Sequence, residues 1–184
     1  TDLPFSGLQI AARRAETDQL SGACWTTVAS GAALPFHAST FHAISHSDVL
    51  CCLSNKRGAL QACREVIRPD GRMVFSVISL TPGISAQEHR RALDNGPPYI
   101  ETETPYADLL AQTGWHVNEC FDITEEFLHS QRRVIAAQKN HESELRTLLG
   151  DRETDDRLTS MKNRLAAREA GLHLREFYVV TPAG

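Results

Sequence analysis

The stretch over residues 72–79, RMVFSVIS, constrains this chain more than any other. It is a nearly continuous apolar run, rich in β-branched and aromatic residues, and it follows the sharp stop Pro69-Asp70-Gly71. A strand of that composition has no face to give to water, so it belongs inside a sheet covered on both sides. Just before it, residues 56–68 place Leu60, Cys63, Val66 and Ile67 on one helical face. A helix leading by a tight turn into a buried strand is the repeating unit of an α/β layer structure.

The remaining punctuation continues the alternation. Residues 7–18 set Leu8, Ile10, Ala11, Ala12 and Ala15 against Arg13, Arg14 and Glu16, which predicts a short amphipathic helix. Residues 23–29 (ACWTTVA) and 41–47 read as strands, with a loop holding Pro35 between them. Ser85 and Glu88 have capping-box spacing and start a helix through Leu93, which Asn95-Gly96-Pro97-Pro98 breaks. Thr104 is expected as an N-cap with Pro105 at the first helical position of a helix running to Gly114. A strand over 115–122, a helical insertion over 124–170 broken at Gly150-Asp151, and a last strand over 172–181 complete the chain. The expected fold is one α/β domain over residues 1–184, doubly wound around a mainly parallel sheet.

Composition narrows the function. Nineteen basic against 23 acidic side chains give a net charge of −4, with no basic stripe, so nucleic acid is not an expected partner. No window approaches 18 uninterrupted apolar residues, and the opening residues lack the pattern of an export signal. A cytoplasmic location with no membrane contact is expected. Five cysteines without regular spacing read as free thiols, with Cys24 and Cys63 in apolar patterns that would bury them. His42 and His46 are four apart, but along a strand that spacing is about 13 Å at roughly 3.3 Å per residue, and no metal site is expected.

Three segments carry a resemblance: Ala33-Leu34-Pro35-Phe36 followed by Phe41; Ser47-Asp48-Val49-Leu50; and residues 65–75, EVIRPDGRMVF. In this order they resemble the central and C-terminal part of the Rossmann-like, class I S-adenosylmethionine-dependent methyltransferases. Asp2-Leu3-Pro4-Phe5 and Gly7-Leu8 resemble the end of that family's second strand and the start of its next helix. Tyr106-Ala107-Asp108-Leu109-Leu110 through Gly114-Trp115 to Asp122-Ile123-Thr124 resembles the later helix and strand of its small-molecule members, so the resemblance spans essentially the whole chain.

The resemblance implies methyl transfer from S-adenosylmethionine to a small-molecule acceptor. It assigns Asp2, with its neighbour Leu3, to the cofactor's ribose diol, although a solvated charge or helix cap also suits Asp2. Ser30, followed by Gly31 and Ala32, stands where the family usually has an acid that accepts from the adenine amino group. Ser47 and Asp48 would border cofactor and substrate. Asp48 is suited to orienting a nucleophile, to attracting a cationic amine, or merely to capping the next helix. Cys52 stands where many small-molecule members carry a histidine, and a thiol of ordinary pKa about 8.5 is a poor base at neutral pH; Cys51 and Cys52 are expected to pack. Residues 80–104 lie where the family builds its substrate cover, with Tyr99 and His89 as substrate-facing or packing residues. The charged side chains of the insertion, Arg132, Arg133, Glu142, Glu144 and Arg146, read as a solvated face.

The family's glycine-rich loop after its first strand has no counterpart here. The resemblance therefore implies a partial sheet lacking the first strand and most of the second. Two accounts follow: a piece of a longer enzyme, preferred because Asp2 and Ala33-Leu34-Pro35-Phe36 look like working positions, or a shortened descendant that no longer binds cofactor. On either account open sheet edges would invite a homodimer. The competing function classes are a non-catalytic interaction module on the same scaffold and, more weakly, a nicotinamide-dependent oxidoreductase.

Overall fold

The computed structural model describes residues 5–184, so Asp2 and Leu3 lie outside the described residues. Four strands form one sheet: β1 (Phe41–Ser47), β2 (Ile67–Leu80), β3 (Trp115–Asp122) and β4 (His173–Pro182), in the order β1-β2-β4-β3. β1 and β2 pair in parallel, whereas β4 runs antiparallel to both β2 and β3. The expectation of a mainly parallel sheet is therefore corrected to a mixed sheet. Three strands point one way, and the last inserts against them because it returns from a long helical excursion.

That excursion comprises α5 (Thr124–Asn140), α6 (Glu142–Leu149) and α7 (Asp151–Glu169), with the anticipated break at Gly150 and a further one at His141. Earlier come α1 (Phe5–Thr17), α2 (Lys56–Val66), α3 (Ala86–Asn95) and α4 (Tyr106–Gln112). The capping box of Ser85 and Glu88 is complete at the start of α3. At α4 the cap is Pro105, which has extended backbone angles, and the Thr104 hydroxyl is buried without a partner rather than capping.

The two faces of the sheet differ. Phe75 and Val77 share one face with Tyr178 and Val180, and there Leu60, Leu110 and Trp115 close a fully buried core. The Trp115 indole donates to the Leu60 carbonyl at 3.1 Å, satisfying both polar groups inside that core. His46, Phe75 and Tyr178 stack along the same face at ring separations of 4.9 and 5.1 Å. Residues 76 and 78 face the other way, beside Arg175 and Phe177, where α5 and α7 pack on β4 and α3 packs on α7.

Two strand expectations are corrected. Residues 23–29 do not form the expected strand: only Val28 takes part in an isolated bridge, and Trp25 and Val28 stand 81% and 51% exposed. Cys24, expected to be buried there, is exposed, while Cys63 packs against the core. β2 begins at Ile67 rather than at residue 72, with Pro69-Asp70-Gly71 inside it. The pairing jumps from Phe41–Ile67 to Ala43–Arg72, and the proline, having no amide hydrogen, fits this irregularity. A Cβ on Gly71 would lie 2.6 Å from Ile67 Cγ1 and 3.0 Å from the carbonyl oxygen of His42 on β1. Gly71→Ala is therefore expected to lower stability by about 1–3 kcal/mol, read as a reduced urea midpoint at unchanged m-value; an unchanged midpoint would show that the bulge has room.

Candidate functional site

At the carboxyl end of β1, where Ser47 pairs with Ser76 of β2, four polar side chains form one connected cluster. Asp48, immediately after β1, takes a left-handed backbone conformation (φ 53°), which an aspartate tolerates better than most residues. Its amide donates to the Ser76 carbonyl at 2.9 Å, so the chain turns sharply while still tied to β2. Arg175 of β4 donates from Nε to Asp48 Oδ1 at 3.0 Å, and its terminal nitrogen lies 3.0 Å from Oδ2. The Ser76 hydroxyl donates to Asp48 Oδ1 at 3.0 Å. The same Arg175 nitrogen donates to the Ser47 and Ser76 hydroxyls at 3.0 and 3.1 Å. With its single proton given to Asp48, Ser76 must accept from Ser47 across their 2.9 Å contact.

The arrangement decides what Asp48 can do. Oδ1 accepts twice and Oδ2 once, leaving one acceptor direction on Oδ2, with the side chain 26% exposed. Asp48 does not cap the following 3-10 turn (Leu50–Cys52), whose cap is Val49 without a side-chain bond. Its charge is met by Arg175, so attraction of a cationic amine is weakened, whereas orienting a donor hydrogen is not. Beneath Arg175 lies the Phe127 ring at 4.7 Å, and Arg168 stands over the same ring at 4.8 Å. Cation–π contact of this kind fixes the guanidinium planes.

Two cavities adjoin this strand end. One, of about 280 Å³, is lined by Gly31, Ser45, His46 and Val49 among others. Ser30 and Ala32 form the turn at its mouth, the Ser30 hydroxyl accepting from the Ala32 amide at 3.3 Å. The other, of about 550 Å³, lies between α5 and α7 and is walled by Phe127, Ile135, Met161, Arg164, Arg168 and Arg175.

The remaining expected residues separate. Cys51 is buried and donates its thiol to the Asp48 carbonyl at 3.2 Å; burial pushes its pKa up to about 11, so it is no thiolate at neutral pH. Cys52, expected to pack, is exposed because the 3-10 turn sends only Leu50 and Cys51 inward. Tyr99 is half exposed, and its backbone does the work: its amide donates to the Cys51 carbonyl, and its carbonyl accepts from buried Lys56 at 2.5 Å. His89 sits elsewhere, paired with Glu101 at 3.4 Å in a third cavity on the opposite sheet face. Among the described residues no group of three metal-binding side chains occurs.

Sequence reading missed Ser76, Arg175, Arg164 and Arg168. The helix spacing of Arg157, Arg164 and Arg168, one face of α7, was the available signal. The solvated-face reading holds for Arg132, paired with Glu169, and for Arg146, which meets Glu142, Asp151 and Asp155.

Residues 1–75 match the family model described as Methyltransferase domain. A phosphoethanolamine N-methyltransferase of Triticum aestivum is 22% identical over 133 residues, which cover 72% of this chain but only 26% of that protein. Among solved structures, a candidate sarcosine dimethylglycine methyltransferase from Galdieria sulphuraria superposes with a TM-score of 0.87 at 15% identity, over 99% of this chain and 68% of that one. Phosphoethanolamine N-methyltransferase 2 of Haemonchus contortus, in complex with phosphomonomethylethanolamine and S-adenosylhomocysteine, gives 0.82 at 12% identity over 100% of this chain and 43% of that one. At such identities the likeness is one of fold.

The small cavity carries a pH prediction. Burial against Phe75 lowers the His46 pKa from 6.5 to about 4, against a weaker upward pull from Asp48. A base whose folded pKa is depressed takes up protons first in the unfolded chain, so stability falls as pH drops from about 6.5 toward about 4. The loss reaches on the order of 3 kcal/mol. His46→Phe, which keeps a ring on Phe75, is expected to flatten that slope in urea midpoints between pH 7 and pH 4.5. His173, also lowered by burial, retains its share. An equally steep slope in the variant would place the titration elsewhere.

Proposed function

The chain has the fold of the class I, Rossmann-like S-adenosylmethionine-dependent methyltransferases, and from that premise we propose that it transfers a methyl group from S-adenosylmethionine to a small-molecule acceptor. The observation that carries the reading is the position of Asp48. It stands at the carboxyl end of parallel β1, where ligands of open α/β sheets bind, with the small cavity on the β1 side and the Arg175-walled cavity on the β4 side.

In this reading the cofactor lies against Ser30, Gly31, Ala32 and Ser47, with Asp2 and Leu3 expected to complete its ribose contacts. The Ser30 hydroxyl keeps a lone pair for the adenine amino group beyond its bond to Ala32. When bound, the cofactor supplies an electrophilic methyl on a sulfonium centre. The protein's task is then to align the acceptor with the carbon–sulfur bond, because such a displacement depends chiefly on orientation of the two reactants. Asp48 performs part of it: held by Ser76 and Arg175, its open Oδ2 direction accepts a hydrogen from the acceptor's nucleophilic group. With three of its four acceptor directions taken by Ser76 and Arg175, its part is to position the acceptor.

A second reading, a non-catalytic interaction module, is favoured by one feature: the apolar groove of about 410 Å³ beside β1, which is an edge strand among the described residues, walled by exposed Trp25 with Leu34, Phe36, Phe41 and Ile44. Cofactor affinity separates the two. Calorimetric titration with S-adenosylhomocysteine, on residues 1–184 and on the longest natural form of the polypeptide, is expected to give saturable binding in the micromolar range, about −8 kcal/mol. Gly31→Leu, which fills the small cavity from its wall, should weaken binding about tenfold or more. Absence of binding to both forms overturns the proposal and leaves the interaction module standing.

A further inference from the structure

The cavity between α5 and α7 has a charge imbalance that the methyl-transfer reading does not use. Arg157, Arg164, Arg168 and Arg175 all line it, and no aspartate or glutamate does. Arg175 is matched by Asp48. Among the described residues no carboxylate lies within salt-bridge distance of Arg157, Arg164 or Arg168, although Arg132 and Arg146 in the same helical region are each matched.

Arg168 is the most telling. Only 6% of it is exposed; one terminal nitrogen donates to the Gln131 side chain, and its Nε–H, also buried, has no partner. Burial, and next the Arg164 guanidinium, push its pKa down to about 10, so it remains charged at neutral pH. A buried cation with an unmet donor costs several kcal/mol of lost solvation unless an anion meets it. No described side chain does so, and the space beside it amounts to about 550 Å³, enough for a small organic molecule. The rest of the wall suits the body of such a molecule: Phe127, Val134, Ile135 and Met161 are apolar, with Ser130 and Gln131 between them.

Resting on the proposed methyl transfer, we propose that this cavity seats an oxyanion group of the acceptor on Arg164 and Arg168, so that the acceptor is a small molecule bearing a phosphate or a carboxylate. Arg175 links the two ends of the site. It lines the cavity and also holds Asp48 and Ser47 at the strand end. An acceptor anchored by its anion on α7 would lay its other end toward Asp48. Arg157, whose Nε donates to Gln138, is left with its terminal nitrogens to widen the positive rim.

The test measures binding by calorimetry with three probes of one ring size: phenyl phosphate, benzoate and uncharged benzyl alcohol. Phenyl phosphate or benzoate, or both, should bind at least about tenfold more tightly than benzyl alcohol, and their ratio tells which oxyanion the cavity prefers. Arg164→Gln, at an exposed position outside the packed core, should remove about tenfold or more of that affinity; Arg168→Gln should remove more, provided its circular dichroism and melting transition remain those of the parent. Equal binding of the three probes, or an Arg164→Gln protein that keeps full affinity for both anions, overturns the inference. Because no cofactor is present, its outcome is independent of the methyl-transfer reading. Oxyanion binding without S-adenosylhomocysteine binding would defeat that reading and spare the cavity, and the reverse would do the opposite.

Discussion

The placement of β4 governs this structure. The last strand runs antiparallel between β2 and β3, and its register sets Tyr178 opposite Phe75 and Arg175 opposite Ile78. Because side chains alternate along a strand, that one register does two things. It sends Tyr178 and Val180 into the buried core and Arg175 to the opposite face, beside Asp48. A slip of one residue would exchange the faces, placing a guanidinium in the core and a tyrosine at the strand end. Core packing thus protects the site's geometry: the apolar face enforces the register that the polar face uses.

The charged groups fall into two populations. On the outer side of the helical insertion, arginines meet carboxylates in exposed pairs such as Arg146 with Glu142 and Arg132 with Glu169, each adding little to stability. On the inner side, Arg164 and Arg168 face a cavity without a counter-ion among the described residues. A fold selected for stability alone would match or remove the buried Arg168 charge, since an uncompensated one is costly. The cost is tolerable because the Phe127 ring and Gln131 hold part of the guanidinium, leaving one donor unmet. On the oxyanion-site proposal, this arrangement is that of a preorganised binding surface.

Much of the fold was legible in the sequence, and for identifiable reasons. β1 and β3 lie where alternation and flanking turns placed them, the capping box of Ser85 and Glu88 formed, and the insertion is helical throughout, apart from its breaks. Where reading failed, the determinants were not local. Residues 23–29 have strand composition but only Val28 takes part in a bridge, and composition alone does not decide which neighbour a segment pairs with. Pro69-Asp70-Gly71 reads as a boundary but bulges within β2, because pairing with β1 continues on both sides. At the site, Ser47 and Asp48 were legible from their place after a strand. Arg175 and Ser76 were not, since 127 and 28 residues respectively separate them from Asp48.

By itself the sequence determined the element types, the buried run of β2, the helical insertion and a strand end bearing Ser47 and Asp48. These follow from periodicity, capping and turn chemistry, which act over a few residues. Only the tertiary structure decided the direction and position of β4, the ion pair of Asp48 with Arg175, and the gathering of α7 arginines around one cavity. Those depend on contacts between segments 37 to 127 residues apart, where composition carries no record of which face meets which. The physical reason is packing: a strand's place in a sheet is chosen by the burial of its apolar face against distant partners, and its polar face goes wherever that choice sends it.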